Sequence, residues 1–486
     1  MRSARNAGAM LDAINAKIPD LKIHILAPEV ETLLGSMGAR SSFVLAKGLF
    51  LDLGGGSVQM TYLDTTGPSN RAGQGPSYEV LAAKTGRSMP YGAARLTKIL
   101  ESGDENVQAA ETSILKASMR QAFQDLLQNH PALNTVSLPG QSELMHDGDG
   151  IDIYLCGGGF RGYGSMLMHN DPTQPYPIPS VATYTVSGSY FGQTKKMLQT
   201  NDEYEGKIYG MSKRRRAQFP AIVAVVEAVI EAVPKIRSVT FCGGGNREGF
   251  LMMKLPRELR ESNPLDLIGV PCSAAGGANS GLEDSLQSVM LTLRSALPHA
   301  NILSVFTLGL GPVFTRKLWD GIGNESGINA SVSLHEAVRQ DPGCPGLTHL
   351  ARAILGLTLC ARWAPTSKLL PLDRQIRDGF RRLAGTTDLQ ASFWAHYIGA
   401  VAAVMTTVVP AWPRSPRRVI EAIKFRATSD NENTKLKFRL VISLSLRAAE
   451  GLDLPALEKL IREAGKDLPD GKIGKTVAVH IEVLNT

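Results

Sequence analysis

Cysteine is scarce in these 486 residues: five, at Cys156, Cys242, Cys272, Cys344 and Cys360, and no two are spaced C-x-x-C. That pattern argues against a cysteine zinc site or a disulfide framework and suits a reducing compartment, so a cytoplasmic location is expected. Cys156 and Cys242 each close an apolar run and read as small core residues. Aromatics make up only 6%. The basic clusters "KRRR" (213–216) and "PRSPRR" (413–418) carry no interleaved stacking rings, so nucleic acid is not an expected partner and each cluster reads as a solvated face. No run of eighteen apolar residues occurs, and the best candidate, "AIVAVVEAVIEAV" (221–233), is broken by Glu227 and Glu231; it reads as a buried helix, with no membrane partner. The N-terminal stretch has arginines but too short an apolar core for a secretory signal, while a transit peptide stays open. G-x-x-x-x-G-K-[ST] is missing, which excludes a P-loop. "GGGFRG" (157–162) matches a dinucleotide fingerprint in form, but the acidic residue about twenty positions on is lacking.

What the chain does have is glycine in threes. "FLDLGGGSVQM" (50–60) sets Gly54, Gly55 and Gly56 between two alternating apolar runs, the pattern of a hairpin turn. "IDIYLCGGGFRGYG" (151–164) and "RSVTFCGGGNREGFLMMKL" (237–255) each run an apolar strand into three glycines and then a helix. Tight packing alone can require glycine. Three such turns at strand ends suggest loops converging on one ligand at a sheet edge, where backbone N–H groups meet anionic oxygens. A net charge of +7 also suits an anionic small molecule. Around these turns the spacing predicts a helix over 6–17, a strand over 21–28, a helix over 29–40, a loop over 65–77, a third strand over 78–90 and helices over 91–100 and 105–131. Residues 262–281 read as a linker, 282–410 as largely helical, and 419–486 as strand, strand, helix and strand.

"RSARN" (2–6), "PEVETLLGSMG" (28–38), "DLGGGSVQ" (52–59), "SMPYGAARLT" (88–97), "CGGGFRG" (156–162) and "GGGNREGFL" (243–251) follow one another in the order of a known set of motifs. Together they resemble the exopolyphosphatase/guanosine pentaphosphate phosphatase (Ppx/GppA) family over about residues 1–255. The resemblance implies an α/β fold of the actin, sugar kinase and Hsp70 type (ribonuclease H-like lobes), followed by a helical domain and a small α+β tail. It divides the chain into the remainder of a first lobe (1–49), a second lobe with the Gly-rich loops (50–260), a degenerate His-Asp-like helical domain (282–418) and the tail (419–486). The family's N-terminal hairpin, with its D-x-G-S-N phosphate loop, has no counterpart here, so the first lobe is expected to be truncated; a mis-assigned start codon is the plain explanation.

The resemblance also assigns roles. Glu31 falls on the family's catalytic-base position, although a carboxylate in a helix's first turn is favoured by the macrodipole alone. Gly54, Gly55, Gly56 and the Ser57 hydroxyl would hold phosphate, Asp52 would reach Mg2+, and Arg95 and Arg161 are candidate anion contacts with ordinary surface pairing as the alternative. Gly157, Gly158, Gly159, Gly243, Gly244 and Gly245 would close over the rest of a nucleotide or polyphosphate, and Arg247 and Glu248 can pair with each other. Gln59 stands where the family carries a carboxylate; an amide cannot take a proton and is a weaker metal ligand. "FWAHYIGA" (393–400) is similar to the family's L-L-H-D-I-G helix with Tyr397 in place of Asp, and His349 and His396 would be surviving histidines or ordinary core residues. These departures resemble the fungal branch concerned with retrograde regulation. A regulatory nucleotide- or polyphosphate-binding protein with a protein partner is therefore expected, with an active Mg-dependent phosphohydrolase as the alternative and a homodimer left open.

Overall fold

Strand β1 (Lys47–Leu53) carries Leu49, Leu51 and Leu53 on one face and Phe50 on the other, all buried, which requires cover on both sides of the sheet. A computed structural model describes residues 6–66, 77–130, 133, 150–267, 280–298, 304–339, 346–363, 368–387, 390–429, 437–464 and 476–484. Helices α1 (Ala7–Lys17) and α2 (Pro28–Arg40) precede β1, and β2 (Val58–Asp64) returns antiparallel beside it, pairing Asp52 with Gln59. Then come α3 (Tyr78–Thr85), β3 (Arg87–Met89), α4 (Ala93–Leu100), α5 (Glu105–Asn129), β4 (Ile151–Cys156), α6 (Gly157–His169), β5 (Tyr184–Ser187) and β6 (Ile236–Phe241). These strands form one six-stranded sheet in the order β3-β2-β1-β4-β6-β5. Its three central strands, β1, β4 and β6, are parallel neighbours.

One face of the sheet packs Leu49, Leu51, Ile153 and Leu155 against Phe123 of α5 and the helix Phe219–Ala232. The other packs Phe50, Tyr154, Cys156 and Cys242 under Met37 and Ala39 of α2, with the Phe50 and Tyr154 rings stacked at 4.5 Å. Buried ions tie this second layer together: Arg40 donates to Glu261 at 2.7 Å, and Arg260 pairs with Glu79 of α3.

Beyond the sheet the chain is helical through Ser280–Arg294, Ser326–Arg339, His349–Trp363, Pro371–Gly385 and Ala391–Val408. The strands β7 (Ile423–Ser429), β8 (Lys437–Ser445) and β9 (Thr476–Leu484) form a three-stranded sheet, with the helix Leu454–Glu463 leading into β9. Trp394 and Tyr397 of the last long helix meet Phe438 of β8 at 5.7 and 5.2 Å, so helices and small sheet share one core. By length and composition Ala391–Val408 could cross a bilayer, a candidate the sequence reading passed over, and 89% of it is buried inside the protein.

Two expected strands are absent. Residues 21–27 lie in no helix or strand and are mostly exposed, so the alternation of "LKIHIL" does not make a strand, and Pro28 opens α2. Residues 78–85 form α3, and only Arg87–Met89 is a strand. Tyr78, Glu79 and Ala82 bury one helical face there, which suits the strong helix formers Glu79, Leu81, Ala82 and Ala83. At 419–420 the chain is still helical, and β7 starts at Ile423. The loop 67–76, residues 2–5 of "RSARN" and most of the expected linker 262–281 (268–279) lie outside the described residues, while within that linker Pro264–Leu267 is a short helix whose Leu265 is fully buried in the helical core.

Candidate active site

Because β1, β4 and β6 run parallel side by side, the glycines after each of them sit at one edge of the sheet, the place where open α/β sheets bind ligands. Gly54 N–H donates to Ser57 C=O at 3.0 Å, closing the hairpin turn. The first N–H groups of α4 then take the turn's carbonyls: Ala93 N–H donates to Gly54 C=O, and Ala94 and Arg95 N–H to Gly55 C=O, at 3.0 to 3.2 Å. In a trans peptide the N–H points opposite its C=O, so the N–H groups of Gly55 and Gly56 are turned away from α4. Gly92 makes this docking feasible, since a Cβ on it would lie 2.2 Å from Gly56 N. The sequence reading passed over Gly92. Arg95, in the first turn of α4, is exposed, with its guanidinium 6.0 Å from the Tyr91 ring.

The strand register places Asp52 between Gln59 and Cys156. Gln59 is buried; its Nε2 donates to Ser57 Oγ at 2.7 Å and toward Ser88 Oγ at 3.4 Å. Burial raises the Asp52 pKa; the Arg161 charge opposes this, the Glu31 charge adds to it, and a hydrogen bond with Cys156 lowers it slightly. Glu31, in the first turn of α2, is thus within electrostatic reach of Asp52.

Gly157 has φ +85°, and a Cβ there would fall 2.2 Å from Asp52 Oδ1 and 2.5 Å from Leu53 C=O, so glycine is required on both counts. It opens α6, whose first turn has neither a capping side chain nor an acidic residue of its own, and whose positive end is met by the Asp52 carboxyl. Arg161 donates to Gly243 C=O at 3.2 Å. Arg215 donates to Gly210 C=O at 2.7 Å, and its Nη2 lies 3.6 Å from where Gly158 would carry a Cβ. Burial and Arg161 both lower the Arg215 pKa, so the two guanidinium groups feel one another beside the α6 N-terminus. Within "KRRR", read as a solvated face, Arg215 and Arg216 are in fact half-buried and bonded to backbone carbonyls.

At the third loop Gly244 serves packing, whereas a Cβ on Gly245 would meet nothing closer than Glu248 Oε2 at 3.9 Å. A Cβ on Gly244 would meet Gly38 C=O at 2.0 Å, and the Gly245 N–H is already taken by Glu248 Oε2 at 2.8 Å. Glu248 therefore caps its own helix, Asn246–Lys254, rather than pairing with Arg247. Gly159 faces the Leu53 side chain. Asn246 was also passed over: its Oδ1 is buried without a hydrogen-bond partner, and both it and Asp52 Oδ2 lie 3.2 Å from the Cβ position of Gly35.

The two histidines are set in different surroundings. His396 sits against the Ser392 C=O at 2.6 Å and the Arg377 guanidinium at 2.9 Å, while His349 meets the Tyr176 hydroxyl at 2.8 Å. Tyr397, buried, donates its hydroxyl to Ala296 C=O at 2.7 Å. Among the described residues no group of three or more His, Cys, Asp or Glu side chains is placed to hold a metal ion.

The sequence model of the Ppx/GppA phosphatase family matches residues 1–258, more than half of the chain. The chain belongs to the Ppx/GppA phosphatase family. The model of the RTG2 C-terminal domain matches residues 274–482. Retrograde regulation protein 2 of Saccharomyces cerevisiae is 28% identical over 426 residues, covering 84% of this chain and 66% of that protein. The chain therefore spans just under two thirds of the length of that curated relative. Among solved structures, the type II variant of the Aquifex aeolicus Ppx/GppA phosphatase matches at 17% identity over 52% of this chain and 72% of that one, with a TM-score of 0.34. An exopolyphosphatase from Cytophaga hutchinsonii matches at 18% over 51% and 70%, with a TM-score of 0.35.

Proposed function

We propose that this chain is a regulatory member of the Ppx/GppA phosphatase family, holding a nucleotide's phosphates or polyphosphate at the Gly54–Ser57 turn. It acts in mitochondria-to-nucleus retrograde signalling, in the cytoplasm, through a protein partner. One observation carries the binding half. None of Gly54, Gly55 and Gly56 has a left-handed backbone, and a Cβ on any of them would meet nothing closer than 3.6 Å. Nothing among the described residues thus gives a reason for three glycines there; close approach of a phosphate does. The Gln59 amide donates to one Ser57 lone pair, and the hydroxyl proton can then be given to a phosphate oxygen. Arg161, Arg215 and the α6 N-terminus supply positive charge beside it.

The donors fit a hard cation such as Mg2+: Asp52, with Glu31 near it, offers carboxylate oxygens, and Mg2+ characteristically takes one or two of these plus substrate phosphates. Bound there, the cation would neutralise phosphate charge. The regulatory half is supported by Gln59 in place of a carboxylate and by the likeness to Retrograde regulation protein 2. A second reading, Mg-dependent phosphohydrolysis, draws on Glu31 standing within reach of Asp52 as a base for water.

The experiment pairs equilibrium binding of polyphosphate, ATP and guanosine pentaphosphate with Mg2+-dependent phosphate release from each. Binding is expected with release no faster than from Glu31→Ala. Enzyme-like release that Glu31→Ala abolishes would overturn the regulatory half, and absence of binding would overturn the site. Turnover gained by Gln59→Glu would mean that the cleft is otherwise competent.

A further inference from the structure

Gly158 and Gly162 stand one turn apart on the same side of α6. The groove they leave holds the side chain of Arg215. A Cβ on Gly162 would fall 2.7 Å from Arg215 Cδ and 3.0 Å from its Cγ, and one on Gly158 3.6 Å from its Nη2. The stem of Arg215 therefore runs along α6 past Gly162 and delivers the guanidinium beside Gly158. That end of α6 abuts β1, since a Cβ on Gly157 would lie 2.5 Å from Leu53 C=O. Leu53 is the residue before the Gly54–Ser57 turn.

Backbone groups hold the arginine in place. Arg215 N–H donates to the Ser212 hydroxyl at 3.2 Å, capping the short helix Lys213–Ala217, and Nη1 donates to Gly210 C=O at 2.7 Å. Arg161 is anchored in the same way, its Nη1 donating to Gly243 C=O at 3.2 Å. In both residues Nε and Nη2 have no hydrogen-bond partner among the described residues, and these atoms are open to solvent rather than buried. Nε and Nη2 are the parallel donors with which a guanidinium grips two oxygens of one carboxylate or phosphate.

Their charges are not matched by acids. Among the described residues neither arginine forms an ion pair. Arg161 acts on the Asp52 carboxyl across a distance, whereas the one charge that shifts Arg215 is Arg161 itself. The acids of the preceding stretch are turned elsewhere: Asp202 accepts from Asn201, and Glu203 from Gln199. Arg216, next in the chain, donates instead to the carbonyls of Asn201 and Tyr204. Two anchored guanidinium groups near one another repel, and an anion between them removes the repulsion.

We infer that Arg161 and Arg215 clasp a second phosphoryl group, the neighbour in a phosphoanhydride chain of the one held at the Gly54–Ser57 turn. Arg215 is then the residue that selects linked phosphates over orthophosphate. This rests on the phosphate reading of the turn and adds to it that the ligand carries at least two linked phosphoryl groups. Inorganic polyphosphate and the phosphate tail of a nucleotide share that chemistry.

Calorimetry on the full chain tests this with orthophosphate, tripolyphosphate and ATP against the parent and its variants. In Arg215→Gln the affinity for tripolyphosphate should fall about ten- to a hundredfold, the loss of hydrogen bonds from a charged donor. Orthophosphate fills the turn alone and should lose several-fold less. Arg215→Lys keeps the charge without the paired donors and should fall between parent and Arg215→Gln. Gly162→Ala pushes the Arg215 stem out of its groove, so tripolyphosphate should weaken while the thermal midpoint holds, alanine being the better helix former. It provides the reading should Arg215→Gln not fold. ATP weakened alongside tripolyphosphate supports the clasp with a nucleotide's tail as occupant; ATP unaltered supports it with an inorganic chain. Equal losses for orthophosphate and tripolyphosphate would overturn the clasp. So would parental tripolyphosphate affinity in folded Arg215→Gln where Gly56→Ala still weakens it. Tripolyphosphate binding that Gly56→Ala leaves unaltered would overturn the reading of the turn, and the second group with it.

Discussion

Two glycine clusters on the same sheet edge look alike in the sequence and differ entirely in what faces them. At the seam between α2 and the helix Asn246–Lys254, a Cβ on Gly249 would stand 1.8 Å from Leu34 C=O, one on Gly38 1.9 Å from Gly245 C=O, and one on Gly244 2.0 Å from Gly38 C=O. At the hairpin turn, a Cβ on Gly56 would meet nothing within 4 Å. In the first place glycine lets two backbones touch. In the second, the space it leaves is not filled by any described residue. A run of three glycines therefore reports close approach without saying whether the visitor is the protein itself or a ligand.

The seam gives the largest expected effect. Gly249→Ala or Gly38→Ala forces a Cβ into a backbone carbonyl that no rotamer change can move, and should cost roughly 3 kcal/mol or more. Urea unfolding of each variant checks it, and a loss below about 1 kcal/mol would mean that the seam is loose and the comparison wrong. Gly157→Ala comes next. Its φ of +85° strains alanine, and its Cβ would press on Asp52 Oδ1, so roughly 2 kcal/mol is expected. Phosphate affinity should fall with it, because the same shift moves the α6 N-terminus.

Much of this edge was legible from local pattern. Leu49, Leu51 and Leu53 against Val58 and Met60 announce a hairpin around Gly54–Gly56, and the apolar runs before Gly157 and Gly243 announce strands. The errors came where local pattern had no say. "LKIHIL" alternates like a strand but lies outside every sheet among the described residues, and α3 was taken for a strand although Glu79, Leu81, Ala82 and Ala83 favour a helix. Arg215, Asn246 and Gly92 were passed over because their roles are contacts across distant stretches: Arg215 beside Gly158, Asn246 beside Gly35, Gly92 on Gly55 and Gly56. Gly244 was grouped with the ligand-facing glycines for the same reason: Gly38 lies about two hundred residues away and nothing near position 244 names it.

Asp52 stands where the two settings meet, with Gly35 of α2 on one side and Gly157 on the other. Its folded pKa is raised above 3.8, chiefly by burial, so the proton is favoured by folding. The stability it contributes is whole below pH 3.8 and is lost as pH rises through the folded value. Asp52→Asn removes that loss. The variant should melt at a higher temperature than the parent at pH 7 and at the same temperature below pH 3.8. Added Mg2+ should raise the midpoint of the parent and leave that of Asp52→Asn unmoved. An unchanged difference between the two proteins across pH would mean that Asp52 is not held against ionisation.

Gly56→Ala has the smallest expected effect on the fold and is the sharpest test of the comparison. Alanine meets no neighbour there, and the backbone is not left-handed, so unfolding free energy should change by less than about 0.5 kcal/mol, or rise slightly as the unfolded chain loses freedom. The added methyl does enter the space in front of the turn's N–H groups. A phosphate bound there must then move off or lose one charge-assisted hydrogen bond, which costs about 1.5 to 3 kcal/mol, or roughly ten- to a hundredfold in affinity. Polyphosphate titration of a variant with an unaltered melting curve separates these quantities. Unaltered stability with weakened binding places the ligand at Gly56; unaltered stability with unaltered binding would move the phosphate to the α6 N-terminus, where Arg161 and Arg215 stand.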